Sequence, residues 1–144
     1  MTWMAVVIRA AVARDVPAMH AIRCAVRENR LSDPRRVTEE DYLPYVEASS
    51  IWAAVDPAGK MLGFAAIDRT EASIWALFVD PDAEGTGVGR ALHDAMLAWA
   101  AEQDLDRLSL FTAAGTRAER FYAKAGWRET ARSETEVRFE RQAP

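Results

Sequence analysis

Cysteine is almost absent from this chain. Cys24 is the only one, so no disulfide can close within it. Histidine is nearly as scarce. His20 and His93 have no Cys or His partner at metal-ligand spacing, and no metal site is expected. No apolar run reaches the roughly 20 residues that span a bilayer, so no membrane association is expected. Bases are outnumbered, 18 against 22 acids, for a net charge of −4. That argues against a nucleic-acid partner held by a broad basic face. The segment Met1–Ala13 mixes apolar residues with Arg9 and lacks the basic-then-apolar order of a secretion signal. A cytoplasmic location is the resulting expectation. Cys24 lies beside Ile22 and Val26 on a helical pattern and reads as a buried small hydrophobe. His93 reads as partly exposed and structural, on the flank of an apolar helix stripe.

The 144 residues are half apolar and 28% charged, as in an ordinary globular protein. They suffice for one domain, 1–144, with a real core, and show no repeat or linker. Val6 to Ala10 reads as a strand. Asp15 can cap a helix that tolerates Pro17 in its first turn and carries Met19, Ile22 and Val26. Ser32-Asp33-Pro34 breaks that element. Thr38 and Asp41 form a capping-box pattern for a short helix with Tyr42, Tyr45 and Val46. Ile51–Val55, Lys60–Ile67 and Ser73–Val79 follow as strands, spaced for an antiparallel meander. A helix over about Gly87–Gln103 has a stripe of Val88, Ala91, Leu92, Ala95, Met96 and Trp99. Arg107–Thr112 alternates like a strand. Thr116 and Glu119 repeat the capping pattern before Phe121, Tyr122 and Ala125, and Gly126 can end that helix in a left-handed turn. Trp127–Thr130 and Thr135–Glu140 close the chain as strands. The order is β-α-α-β-β-β-α-β-α-β-β.

The most informative segment joins the third meander strand to the long helix: Val79-Asp80-Pro81-Asp82-Ala83-Glu84-Gly85-Thr86-Gly87-Val88-Gly89-Arg90. A helix N-terminus offers unpaired amides and partial positive charge, and glycines let a ligand approach them closely. The segment suits a phosphate or pyrophosphate. It follows a meander, and its spacing is GxGxG, so it departs from a dinucleotide fingerprint. It also lacks the Gly-Lys-Ser/Thr of a P-loop.

Two motifs together resemble the GCN5-related N-acetyltransferase (GNAT) superfamily. One is Leu77-Phe78-Val79 through Glu84-Gly85-Thr86-Gly87-Val88-Gly89-Arg90, similar to the family's Arg/Gln-x-x-Gly-x-Gly/Ala pyrophosphate cradle. The other is Ala118-Glu119-Arg120-Phe121-Tyr122-Ala123-Lys124-Ala125-Gly126-Trp127. The resemblance implies an α+β fold, a single domain with a mixed, mostly antiparallel sheet of six to seven strands and about four helices. It implies acetyl-CoA as cosubstrate, with an amine attacking the thioester directly. Amides from Gly85 to Arg90 would hold the pyrophosphate, and Leu77, Phe78 and Val79 would pair with the pantetheine arm. Amides near Phe78 and Val79 would polarise the acetyl carbonyl. Tyr122 would protonate the departing thiolate; on spacing alone it reads as a half-buried core aromatic beside Phe121.

This sequence departs from the family at two positions. Glu84 stands where Arg or Gln is favoured, and with Asp80 and Asp82 it sets three acids near an anion site. The expected loss is about 1 kcal/mol. Gly115 replaces a frequent asparagine seven residues before the tyrosine. Lys124, Arg117 and Arg120 are candidates for the 3′-phosphate or simply solvated helix charges. Glu71 is the first candidate for a general base, with Asp68 and the first two helices as others. Tyr42, Tyr45, Trp52 and Trp75 line an acceptor pocket or fill the core. The segment from Asn29 to Tyr45 is expected to border the acceptor, a small molecule or peptide bearing a primary amine; its Asp33, Glu39, Glu40 and Asp41 suit a cation or, the preferred reading, only solvate and cap a helix. Analogy with the family allows a homodimer through the C-terminal strands. Two other readings stay open: a non-catalytic acyl-CoA-binding module of the same fold, and a nicotinamide dinucleotide site.

Overall fold

The run Leu62-Gly63-Phe64-Ala65-Ala66-Ile67 is buried throughout, because its strand is covered on both faces. The computed structural model describes residues 6–26 and 37–142. Its strands are β1 (Val7–Ala10), β2 (Ile51–Val55), β3 (Met61–Asp68), β4 (Ser73–Val79), β5 (Arg107–Ala113), β6 (Arg128–Arg132) and β7 (Glu136–Gln142). Among the described residues the helices are α1 (Val16–Ala25), α2 (Leu43–Glu47), α3 (Val88–Glu102) and α4 (Arg117–Lys124). One seven-stranded sheet runs β1-β2-β3-β4-β5-β7-β6. All neighbours are antiparallel except β4 and β5. The expected mixed sheet and element order are thus present.

Two cores lie on opposite faces of the sheet. One packs Leu92, Met96 and Leu97 of α3 against Leu108, Tyr122, Trp127 and Phe139. The other packs Met19 and Ile22 of α1, with Tyr42, against Ile51, Phe64 and Ala76. Each fully buried side chain of this size contributes roughly 1.5–3 kcal/mol, so the two clusters dominate stability.

Local signals behave as their chemistry requires. The Asp41 carboxylate accepts the Thr38 amide at 2.8 Å, before a 3-10 turn (Glu39–Tyr42) that runs into α2. Pro44 sits in the first turn of α2, where its missing N–H is harmless. Gly126 has φ +92 and ends α4 as expected. The break at Ser32-Asp33-Pro34 lies outside the described residues.

Three expectations are corrected. Asp15 does not cap α1 with its side chain. Its carboxylate accepts the Val12 amide at 2.8 Å and both terminal nitrogens of the Arg9 guanidinium, at 2.8 and 2.9 Å. That pairing holds the Asp15 carboxyl below the usual range. Cys24 is exposed, because α1 turns Met19, Ile22 and Arg23 inward instead. His93 is buried at 2% exposure. The inward stripe of α3 is Val88, Leu92, His93, Met96, Leu97 and Ala100, rotated from the expected one. Trp127 Nε1 donates to His93 Nε2 at 2.9 Å, which makes the burial tolerable.

Candidate active site

β4 and β5 run parallel but share one residue pair, Ser73 with Ser109. Past it they part, and a cleft of about 500 Å³ opens between Ile74–Val79 and Leu110–Ala113. That size suits a ligand cavity, and its walls are mainly apolar. A second irregularity shapes the same wall. Ala66 pairs with Ala76 but Ile67 pairs with Ile74, so Trp75 is an extra residue in β4. The bulge sends both Trp75 and Ala76 toward the α1 face. Phe78 also packs on that face, while Leu77 and Val79 pack toward α3.

The loop after β4 is built to present amides. Asp80 turns its carboxylate onto the Asp82 amide at 2.9 Å, capping a 3-10 turn over Pro81–Ala83. The Thr86 hydroxyl donates to the Ala83 carbonyl. Gly85 and Gly87 have φ of +80 and +90, left-handed values that strain any residue with a Cβ. The first backbone bond of α3 runs from Ala91 N–H to the Gly87 carbonyl. Among the described residues no protein acceptor takes the amides from Gly85 to Arg90. These donors stand at the positive end of a 15-residue helix, beside the cleft.

The three acids of the loop are less opposed to an anion than their count implies. Asp80 is occupied by its cap. Glu84 Oε1 lies 3.7 Å from Arg117 Nη1 of α4, so its charge is partly met across the cleft mouth. Arg90 pairs with Asp94 at 3.5 Å.

α4 supplies the opposite wall. Thr116 Oγ1 accepts the Glu119 amide at 3.3 Å, and Glu119 Oε1 accepts the Gly115 amide at 2.8 Å. Gly115 has φ +77, a conformation that asparagine also tolerates. The two residues therefore suit the same turn. Tyr122 then points inward, 5% exposed, and lines the cleft. Its ring stands against Phe121, Trp127 and Phe139. Burial pushes the phenol well above its ordinary range, so it remains a proton donor.

Of the expected cofactor residues, Leu77, Phe78, Val79, Glu84, Gly85, Gly87, Gly89 and Arg90 line the cleft. The Val88 side chain is buried in the core, and Thr86 is tied to Ala83. Lys124 and Arg120 are exposed and do not line the cleft, whereas Arg117 does. Glu71 is exposed in the β3–β4 turn, its amide bonded to Asp68, and is not among the lining residues. Among the described residues the acids that line the cleft are Glu84 and Glu136. Of the four aromatics, Trp75 lines the cleft and Tyr45 stacks on it at 4.4 Å. Tyr42 is fully buried beneath. Burial raises both phenols to about 12. Trp52 packs on Trp99, on the other face. The proposed acceptor segment lies partly outside the described residues, Asp33 included. Arg23, Phe111 and Glu136 line the cleft without any motif having marked them. Among the described residues no cluster of side chains could hold a metal ion. No helix among them is long and apolar enough to cross a membrane.

The model of the acetyltransferase (GNAT) family matches residues 16–127. The peptidyl-lysine N-acetyltransferase YjaB of Escherichia coli is 32% identical over 123 residues, covering 85% of this chain and 75% of that protein. The mycothiol acetyltransferase of Salinispora tropica is 38% identical over 93 residues, or 58% of this chain. The match spans only 30% of that protein's length. Among solved structures, a PaiA N-acetyltransferase from Thermoplasma acidophilum in complex with coenzyme A superposes with a TM-score of 0.80. It is 14% identical and covers 96% of this chain and 99% of that one.

Proposed function

The chain belongs to the acetyltransferase (GNAT) family, and from that premise we propose that it moves the acetyl group of acetyl-coenzyme A onto a primary amine by direct attack. The observation that carries this reading is the run of unoccupied amides from Gly85 to Arg90 at the mouth of a cleft that Tyr122 closes from the other side. The residues fit the cosubstrate. The amides and the α3 dipole match a pyrophosphate, and the unpaired edge of β4 matches an amide-bearing arm. A cleft-facing β4 amide near Phe78 and Val79 would be the donor to the developing oxyanion.

Tyr122 acts on the leaving group. A thiol of the coenzyme A kind titrates near about 8.5, far below a buried phenol. Full proton transfer from Tyr122 to the thiolate is therefore uphill. Its O–H stabilises the departing sulfur by hydrogen bonding, and the cationic nitrogen of the tetrahedral adduct, which sheds a proton as the amide forms, is the better final proton source. A deprotonated amine is still required. Glu136 lines the cleft and is better placed for that task than Glu71. The names of the two relatives, a peptidyl-lysine and a mycothiol acetyltransferase, point to a peptide or a small-molecule acceptor.

The rival reading, an acyl-coenzyme A binder without turnover, draws support from Glu71 standing outside the lining. The two separate in one experiment. Thiol release from acetyl-coenzyme A is followed with a panel of amines, beside thermal shift with coenzyme A and NAD. The transferase reading expects amine-dependent release and stabilisation by coenzyme A alone. Stabilisation without any amine-dependent release would leave only the binder, and stabilisation by NAD alone would remove both.

A further inference from the structure

The two faces of the panel β5-β7-β6 are not alike. Leu108, Leu110, Val137 and Phe139 turn into the core with α3. Alternation along the strands turns their neighbours to the other face. On that side of the sheet α1 packs on β3 and β4, and α2 on β3. Phe111 shows that the panel's own second face is open, since it stands there at 64% exposure.

This open face is charged unevenly. At one end Phe111 and Glu136 line the cleft. At the other, three guanidinium groups crowd one carboxylate. Arg138 bonds Glu140 Oε2, while Arg107 Nη1 and Arg128 Nη2 stand 3.8 and 3.9 Å from Oε1. Those two separations exceed hydrogen-bond length, and the two side chains are 63% and 76% exposed. Their donors therefore reach solvent. Arg138 is already engaged: it also donates to Thr130 Oγ1 at 2.9 Å, and its guanidinium lies 6.0 Å from the Phe111 ring centre. Three cations on one anion leave two positive charges in excess, in a chain whose net charge is −4. Exposed pairs of this kind contribute at most about 1 kcal/mol to stability, so the fold gains little from the surplus. Register sets the span between the two ends. Glu136 and Glu140 lie four residues apart on β7, about 13 Å.

We propose that this face docks a peptide acceptor, whose target amine enters the cleft past Glu136 while an acidic residue about four positions away meets Arg107 and Arg128. The proposal rests on the transferase reading above and takes its peptide branch. The occupant is the acceptor because the face runs without interruption into the cleft. It is acidic because the surplus charge is positive. Phe111 supports the apolar part of the chain between the two ends. Duplex nucleic acid needs a broad basic face, which Glu136 and Glu140 interrupt here. A second copy of the chain would bring the same surplus charge to meet itself.

The test uses peptides with one lysine and one glutamate, set against the same peptides with glutamine, the acid being moved one position at a time from the lysine. Each is titrated calorimetrically into the coenzyme A-loaded chain and assayed for thiol release. The glutamate member is expected to show a KM and a calorimetric constant about three- to tenfold lower, with kcat the same. The advantage should peak at a separation of about four residues and shrink as potassium chloride is raised. R107Q/R128Q should bring the ratio close to one, and R107E/R128E should invert it in favour of lysine at the same place. F111A should raise both KM values and leave their ratio. Equal members in the wild type, a preference that ignores separation, or a ratio that survives R107Q/R128Q overturns the proposal. So does binding of duplex DNA, or self-association in sedimentation, that needs the same two arginines while the peptides stay equal. Turnover of small amines with no peptide bound removes the docking and keeps the transferase. Selective peptide binding without thiol release keeps the docking and removes the transferase, so the two failures are distinguishable.

Discussion

The two walls of the cleft are made of different material. Toward α3 the cleft presents main chain: amides after β4, an open strand edge and glycines with positive φ. Toward α1 it presents side chains: Arg23, Trp75 and Phe78. A main-chain surface constrains where glycine must stand and leaves other identities free. A side-chain surface can be rewritten one residue at a time without disturbing the strand beneath it. The first wall is therefore suited to an invariant group, the second to a variable one.

Substitutions can sharpen or break this contrast. The largest effect is expected from Y122F, which is expected to leave the fold intact and removes the proposed donor to the departing sulfur. kcat should fall by about 10²–10³-fold while coenzyme A affinity stays within about threefold. An unchanged kcat would return Tyr122 to the core aromatics. Next, G87A puts a Cβ on a residue at φ +90. No atom lies within 4 Å of that Cβ, so the penalty is conformational, about 1–2 kcal/mol. Calorimetry should show coenzyme A affinity falling about tenfold, with acceptor selectivity untouched.

A smaller effect concerns the support behind the main-chain wall. W127F strips His93 Nε2 of its donor and should lower stability by about 2 kcal/mol in denaturant titration. The same histidine gives a pH signature. Burial lowers its folded-state pKa below the ordinary 6.5. As pH falls below 6.5 the unfolded chain therefore takes up the proton more readily, and stability declines. H93Q should flatten that acid limb. The least effect is expected from E71Q, which should keep kcat/KM within about twofold, whereas E136Q should lower it by more. The reverse result would restore the base to the β3–β4 turn.

The contrast also explains what could be read from the sequence. Strands 51–55 and 73–79, both capping boxes and the left-handed Gly126 were legible because local chemistry decides them. The amide loop was legible for the same reason, since glycine leaves a written trace of backbone geometry. Cys24, His93 and Arg23 were not. Each sits on a helix, and polarity is a poor guide to which face turns inward when a distant partner offsets the burial. Trp127 does this for His93 from 34 residues away, and Trp75 with Phe78 do it for Arg23. Nothing in a short window announces those partners. The bulge at Trp75 was hidden likewise, because it is a mismatch of register between two strands.

The single pair between Ser73 and Ser109 leaves the sheet stitched at one point, with a four-strand panel on one side and a three-strand panel on the other. A molecule threaded along the gap becomes, in effect, the missing seam. Bare strand borders attract foreign strands. Chain made faster than its cosubstrate is supplied, or stripped of it during purification, is therefore expected to clump through that opening, and adding coenzyme A to the lysis buffer should keep it dispersed.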